Sequence, residues 1–218
     1  MPTDKHLTDA AAKWTPAELA TLDTLTSPAA IQRFLDDVEY SADPFYRSPR
    51  SVMRDGKAHC ADGALFAAAA LRRLGHPPLI MELRAVRDDD HLLAVYRHNG
   101  RIGAMAKSNF TGLRSREPIF RNLRELALSY FESYFNLELE KTLRAFSVTL
   151  DLAHFDHLNW YCTDDHIEQI MDRLDRVRHY PLVTETMASD FSSVDQRTYD
   201  AGTIGVNWDG VYRGPKEV

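Results

Sequence analysis

Cysteine is scarce in this chain: Cys60 and Cys162 are the only two in 218 residues. Two thiols make no disulfide framework, which points to a reducing compartment and a cytoplasmic protein. Long apolar runs are lacking too. None reaches the roughly 20 residues that span a bilayer, and the opening "MPTDKHLTDAAAKW" has neither the basic start nor the apolar stretch of a secretory leader. Membrane association is therefore not expected. Positive charge is not in excess. Lys and Arg number 26 against 32 Asp and Glu, a formal net charge of -6, which argues against a nucleic-acid partner. The glycine-rich loops that cradle phosphates in nucleotide binders do not occur, and no cofactor is expected. There is no internal repeat and no low-complexity tract.

What remains is an ordinary globular balance, 44% hydrophobic and 27% charged, consistent with one domain over 1–180 and a C-terminal extension or tail over 181–218. Ser27-Pro28 and Ser48-Pro49 each read as an N-cap followed by proline at the first helical position. The second of these helices stops near Gly56. A third helix spans about 59–74 and ends at Gly75, with Pro77 and Pro78 behind it. "PLIMELRAV" predicts a buried strand, followed by an Asp88-Asp89-Asp90 turn. "HLLAVYRHNGRIGAMAKSN" predicts a hairpin turning on Asn99-Gly100, the pair favoured by a type I′ turn. "EPIFRNLRELALSYFESYF" predicts a long helix, and "LRAFSVTLDL" a further strand. "TDDHIEQIMDRLDRVRHY" predicts an amphipathic helix capped by Thr163 or Asp164. Beyond Pro181 the pattern weakens to loop and tail. Helices first and antiparallel strands after them give an α+β domain rather than a doubly wound sheet.

The third helix carries the question of function. Ala61, Ala64, Leu65, Phe66, Ala67 to Ala70, Leu71 and Leu74 leave almost no polar face at its middle, so it is buried on most sides. Cys60 sits in its first turn, where free N–H groups and the positive end of the dipole favour a thiolate. The Cys60 backbone N–H is also a candidate oxyanion donor. The plain alternative is a small packing residue, the commonest role of a free cysteine.

A cysteine nucleophile needs a base, and the base needs a group to orient it. His91 opens the first hairpin strand. With Asn99 and Gly100 in the turn, His98 opposes Arg101 and His91 opposes Ser108 on the same face. A bulge or one-residue slip would bring Lys107 or Asn109 beside His91 instead. Register points to Ser108; the known partners of Cys–His pairs point to Asn109.

The succession of Cys60 in "AHCADGALFAAAAL", then strands, then His91 in "DDDHLLAVY" resembles the transglutaminase-like superfamily within the papain-like cysteine enzymes, in a bacterial subgroup. The resemblance covers about residues 45–115, roughly a third of the chain. It implies a buried nucleophile helix packed on an antiparallel sheet, Cys60 as nucleophile and His91 as its base. It also implies hydrolysis or transfer of an amide bond in a peptide or small amide substrate. Where the family carries Asp, this chain offers Ser108 or Asn109; where an aromatic often follows the His, it has Leu92 and Leu93. The segment before Cys60, "SVMRDGKAH", contains no Gln or Asn to serve as a side-chain oxyanion donor. Two further readings compete. One is an inactive module of the same fold that binds a peptide or metabolite. The other is a thiol-containing metal site of Cys60, His91 and His59.

Other residues draw attention more weakly. His59 adjoins Cys60 but points elsewhere from a helix, as a cap or surface group. Lys107, Arg114 and Arg116 form a candidate site for a substrate carboxylate or phosphate, or else pair with nearby acids. His154, Asp156 and His157 lack the i, i+4 spacing of a zinc-binding helix and read as a polar loop. The aromatics of "LSYFESYF" read as core.

Overall fold

The computed structural model describes residues 13–214. The polar opening segment lies almost wholly outside them, as do the last four residues of the tail. The chain begins with α1 (Pro16–Asp23) and α2 (Pro28–Asp37), a two-residue strand β1 (Glu39–Tyr40), α3 (Pro49–Asp55), β2 (Lys57–Ala58) and α4 (Cys60–Arg73). The Ser-Pro starts behave as expected: Ser27 Oγ accepts the Ala30 N–H at 3.2 Å and Ser48 Oγ accepts the Ser51 N–H at 3.3 Å. Gly56 ends α3 with φ +63°, a left-handed stop that glycine supplies without strain.

The strands follow: β3 (Leu79–Ala85), β4 (His91–His98), β5 (Arg101–Met105), β6 (Arg116–Phe120), β7 (Leu143–Ser147), β8 (Leu150–Asp151) and β9 (His179–Pro181). They form one antiparallel sheet in the order β6-β5-β4-β3-β7-β9, with β8 beside the start of β3. Between and after them lie α5 (Leu123–Leu128), α6 (Ile167–Asp175), α7 (Glu185–Ser189) and α8 (Gln196–Gly202). Alternation along β4 splits the core in two. Leu92, Ala94 and Tyr96 join the cluster around α4, whereas Leu93 and Val95 face a second cluster with Leu126, Tyr130 and Tyr134. The mixed helix-and-sheet architecture with an antiparallel sheet agrees with the α+β expectation. Among the described residues, no helix is long and apolar enough to cross a membrane.

The hairpin turns as its sequence predicts. Asn99 (φ +49°) and Gly100 (φ +73°) are both left-handed, and His98 faces Arg101. Its arms are shorter than expected, because pairing stops at Ala94 and Met105. The reason lies on α2. The buried Gln32 amide takes both backbone groups of Ala106, accepting its N–H at 3.2 Å and donating to its carbonyl at 3.0 Å. A ladder that has lost these groups cannot continue, so His91 and Ser108 are never cross-strand partners.

The long helix expected over "EPIFRNLRELALSYFESYF" is instead a strand, a short helix and a 3-10 turn. Pro118 removes a helical donor and disfavours helix at Glu117, and Asn122 caps a new start by accepting the Glu125 N–H at 2.9 Å. Neither Thr163 nor Asp164 caps α6. Asp164 serves α3 instead, accepting the Ser48 N–H at 2.7 Å and the Ser51 hydroxyl at 2.9 Å. Among the described residues after Pro181 there are three capped short helices, with Thr184, Asp195 and Asn207 as the caps.

At Gly63 on α4 the chain leaves no room for a side chain. A methyl there would overlap the Cβ of Lys107 and lie 3.2 Å from its backbone nitrogen. Gly63→Ala should therefore destabilise the protein by about 1–3 kcal/mol in urea unfolding, although alanine is the better helix former by roughly 1 kcal/mol. A variant as stable as the parent would show that this contact is not tight.

Candidate active site

The start of α4 is fixed by a buried charged network. Asp62 is fully buried. Its carboxylate accepts the Arg47 N–H at 2.7 Å and the His59 N–H at 3.1 Å. His59 is the N-cap: its Nδ1 accepts the Asp62 N–H at 3.4 Å, and its Nε2 lies 3.2 Å from the Phe45 carbonyl. A carbonyl only accepts, so Nε2 carries the proton and Nδ1 is free to cap. Burial, reinforced by the nearby Arg47 cation, lowers the His59 pKa to about 4. Arg47, itself buried, pairs with Asp43, with Asp55 at 3.1 Å and with Asp62 at 3.9 Å. Even so, burial outweighs these contacts and pushes the Asp62 carboxyl up to about 7.

This network holds Cys60 at the first helical position, half-buried at the wall of a cleft of about 650 Å³. Its sulfur donates to the Asp90 carbonyl at 3.7 Å and takes N–H contacts from Leu92 and Ala61. Sulfur and strand thus meet on both sides of His91, where β5 has already left the sheet. Burial dominates the thiol and pushes its pKa up to about 12. The N–H contacts from Leu92 on β4 and from Ala61 at the helix start oppose this without reversing it, so the depressed pKa expected at a helix N-terminus is not realised in this state.

His91 lines the same cleft and is itself buried. Its ring lies among the second cluster, 6.4 Å from the Tyr130 ring and 6.5 Å from that of Tyr134. Its Nε2 is 2.8 Å from the Leu113 carbonyl. By the argument used for His59, Nε2 is the protonated nitrogen and Nδ1 holds the lone pair. Burial first, then the Arg116 cation, lower the His91 pKa to about 4, against the Leu113 bond, which raises it. Among the described residues no hydrogen bond joins Cys60 to His91; the two are brought to one cleft, with a neutral thiol and a neutral imidazole.

The third position is filled by a group that side-chain reasoning could not find. Neither Ser108 nor Asn109 touches the His91 ring through a hydrogen bond. Ser108 Oγ accepts the Phe110 N–H at 3.0 Å, and Asn109 holds the backbone at 207–210. The orienting acceptor is the main chain of Leu113.

The three cations lie outside this cleft. Lys107 Nζ is buried and donates to the carbonyls of Leu35, at 2.8 Å, and Val38, closing the end of α2. Arg114 pairs with Asp36. Arg116 stacks 3.9 Å from the centre of the Tyr130 ring and donates to the carbonyls of Gly112, at 2.8 Å, and Ser115, at 3.1 Å. It therefore braces the loop that presents Leu113. None of the three lines the cleft, whose lining among the described residues includes Asp43, Asp88, Asp89, Asp90, Glu168 and Asp172 and no lysine or arginine. Burial pushes the Asp88 carboxyl up to about 7. The thiol metal site is not formed: among the described residues no cluster of three His, Cys, Asp or Glu could hold an ion. Asp156 is engaged by Arg72 at 2.6 and 2.7 Å. Tyr40 and Tyr46, which the sequence reading passed over, also line the cleft; burial raises both phenols.

No family model and no curated protein matches the sequence. Among solved structures the chain is similar to Legionella pneumophila LapG, with 16% identity over 48% of this chain and 71% of that chain, at a TM-score of 0.34. EGTA-treated LapG is similar at 16% identity over 48% and 69%, and calcium-bound LapG at 15% over 48% and 71%, both with a TM-score of 0.33. The likeness is distant, and the site stands on its own geometry.

The tautomer and charge of His91 are directly observable. Its imidazole should remain neutral, in the Nε2–H form, from about pH 8 down to about pH 5. Its lowered pKa means protonation only as the pH approaches about 4. Histidine ring resonances followed by NMR check this; a midpoint near the ordinary value of about 6.5 would contradict the buried placement.

Proposed function

We propose that this chain is a transglutaminase-like cysteine enzyme that hydrolyses or transfers an amide or peptide bond through Cys60 and His91. The observation that carries the reading is the His91 bond to the Leu113 carbonyl. It leaves Nδ1 as the basic nitrogen, while the sulfur of Cys60 lies against the strand on either side of His91. In this reading the thiol attacks the amide carbon as Nδ1 takes its proton, so that a C–S bond forms and the carbonyl oxygen becomes an oxyanion. Helix-start N–H groups are the candidate donors to that oxygen. Collapse breaks the C–N bond, His91 returns the proton to the departing amine, and a thioester remains. Water or a second amine attacks the thioester, gives a proton to His91, and the thiol is restored as the C–S bond breaks.

The raised thiol pKa and the lowered imidazole pKa favour proton transfer during attack over a preformed thiolate–imidazolium pair. The acidic lining disfavours an anionic substrate, so a neutral or cationic amide is the better fit. The inactive binding module is the second reading. It is favoured by the uncoupled resting state of the pair and by a carbonyl, rather than a carboxylate, beside the histidine.

A small activated ester, p-nitrophenyl acetate, separates the two. The wild type should release p-nitrophenol in a burst and carry one acetyl group on Cys60 by mass spectrometry, and Cys60→Ala should not. His91→Ala should slow the burst by about 100-fold or more. An unchanged burst in His91→Ala, or none in the wild type, would leave only the binding module.

A further inference from the structure

Part of the C-terminal segment borders the cleft. Asp209, Gly210, Val211 and Tyr212 line it together with Cys60 and His91. The Asn109 side chain makes three hydrogen bonds to this stretch. Asn109 Oδ1 accepts the Asn207 N–H at 2.8 Å, and its Nδ2 donates to the carbonyls of Asn207 at 2.9 Å and Gly210 at 3.3 Å. Asn207 Nδ2 in turn donates to the Tyr40 carbonyl at 3.0 Å. Gly210 rests on the Tyr40 ring so closely that a methyl at this glycine would lie 2.9 Å from it. Upstream, α8 is anchored separately, by Thr111 Oγ1 donating to the Ala201 carbonyl at 2.9 Å and by Gly202 against Phe135.

We propose that residues 207–212 form a strap clasped by Asn109, and that this strap sets the size of the molecule that reaches Cys60. The clasp is a single amide that reads only main-chain groups. The strap pairs with no strand, so it opens without disturbing the sheet. Each hydrogen bond adds only a small net stability, which puts the strap at the low end of the local opening energies of a fold. With the strap closed, small molecules enter; an extended peptide requires its release. The idea deepens the enzymatic reading by defining its substrate gate, but its test reads access to sulfur and needs no turnover.

The experiment labels Cys60 in a Cys162→Ser background with iodoacetamide and with a polyethylene glycol maleimide, and peptide mapping confirms the site. In the parent, the bulky reagent should be held back far more at Cys60 than at a free thiol in the same tube. Asn109→Ala should raise the bulky-to-small rate ratio by about tenfold, the shift expected from losing two or three such bonds. Gly210→Val, which pushes the strap off Tyr40 and leaves Asn109 intact, should raise it similarly. A parent that shows no size discrimination overturns the strap even if neither variant folds. So does an unchanged ratio in variants whose circular dichroism matches the parent. Loss of the ester burst together with an altered ratio would sink the enzymatic reading and leave the strap standing.

Discussion

The start of α4, and with it Cys60, depends on the buried carboxylate of Asp62. It lies in the first turn of α4 with no exposure, and it is satisfied by main-chain N–H groups from two different segments, at Arg47 and His59. A charge in such a place is tolerated only when its lone pairs are filled. Those bonds fix the loop that leads into α3 and the turn that leads into α4 at once. Asp164 extends the constraint, because it caps α3 from the far side of the sequence. The position of Cys60 is therefore set by groups that never touch its sulfur, which is how a helix terminus can be held rigid enough to aim a nucleophile.

The same low dielectric shapes the chemistry. A carboxylate beside the imidazole would stabilise its protonated form and draw the pair toward thiolate and imidazolium. A carbonyl fixes the tautomer but gives little charge stabilisation, and the Arg116 cation works against protonation. The sheet edge, the Leu113 loop and the burial of both groups thus agree on a neutral resting pair. In the proposed reaction an amide oxygen placed at the helix start would alter this balance, by giving the developing negative charge somewhere to go.

How much of this the sequence discloses depends on how local the cause is. The Ser-Pro caps, the Asn-Gly turn and the apolar helix are local, and each appears where its residues place it. The hairpin arms are shorter than the pattern suggests because Gln32, 74 residues away, takes the backbone of Ala106. The segment after Glu117 breaks the helical pattern because Pro118 and Asn122 outweigh the spacing of Leu126, Tyr130 and Tyr134, which are buried all the same. Cys60 and His91 are legible as residues of one cleft. The Leu113 carbonyl is not, because main-chain acceptors leave no mark in the residue letters. Lys107 is misleading for a related reason: a lysine in a loop reads as a surface charge until α2 supplies carbonyls that bury it.

Asn109 joins these threads. Its amide is the right chemistry for orienting a histidine, which is why it stood out, and the structure uses that donor–acceptor pair on a different main chain. Gln32 explains the redirection. By ending β5 at Met105 it frees residues 106–109 to leave the sheet. Lys107 then anchors to α2, and Asn109 is carried toward the C-terminal segment. The departure that opens the edge of β4 to the Cys60 sulfur is thus also the one that supplies the clasp for the strap. The open edge of β4 beside the Cys60 sulfur and the clasp over the cleft both follow from one interrupted ladder, and a change that restored β5 pairing would disturb both together.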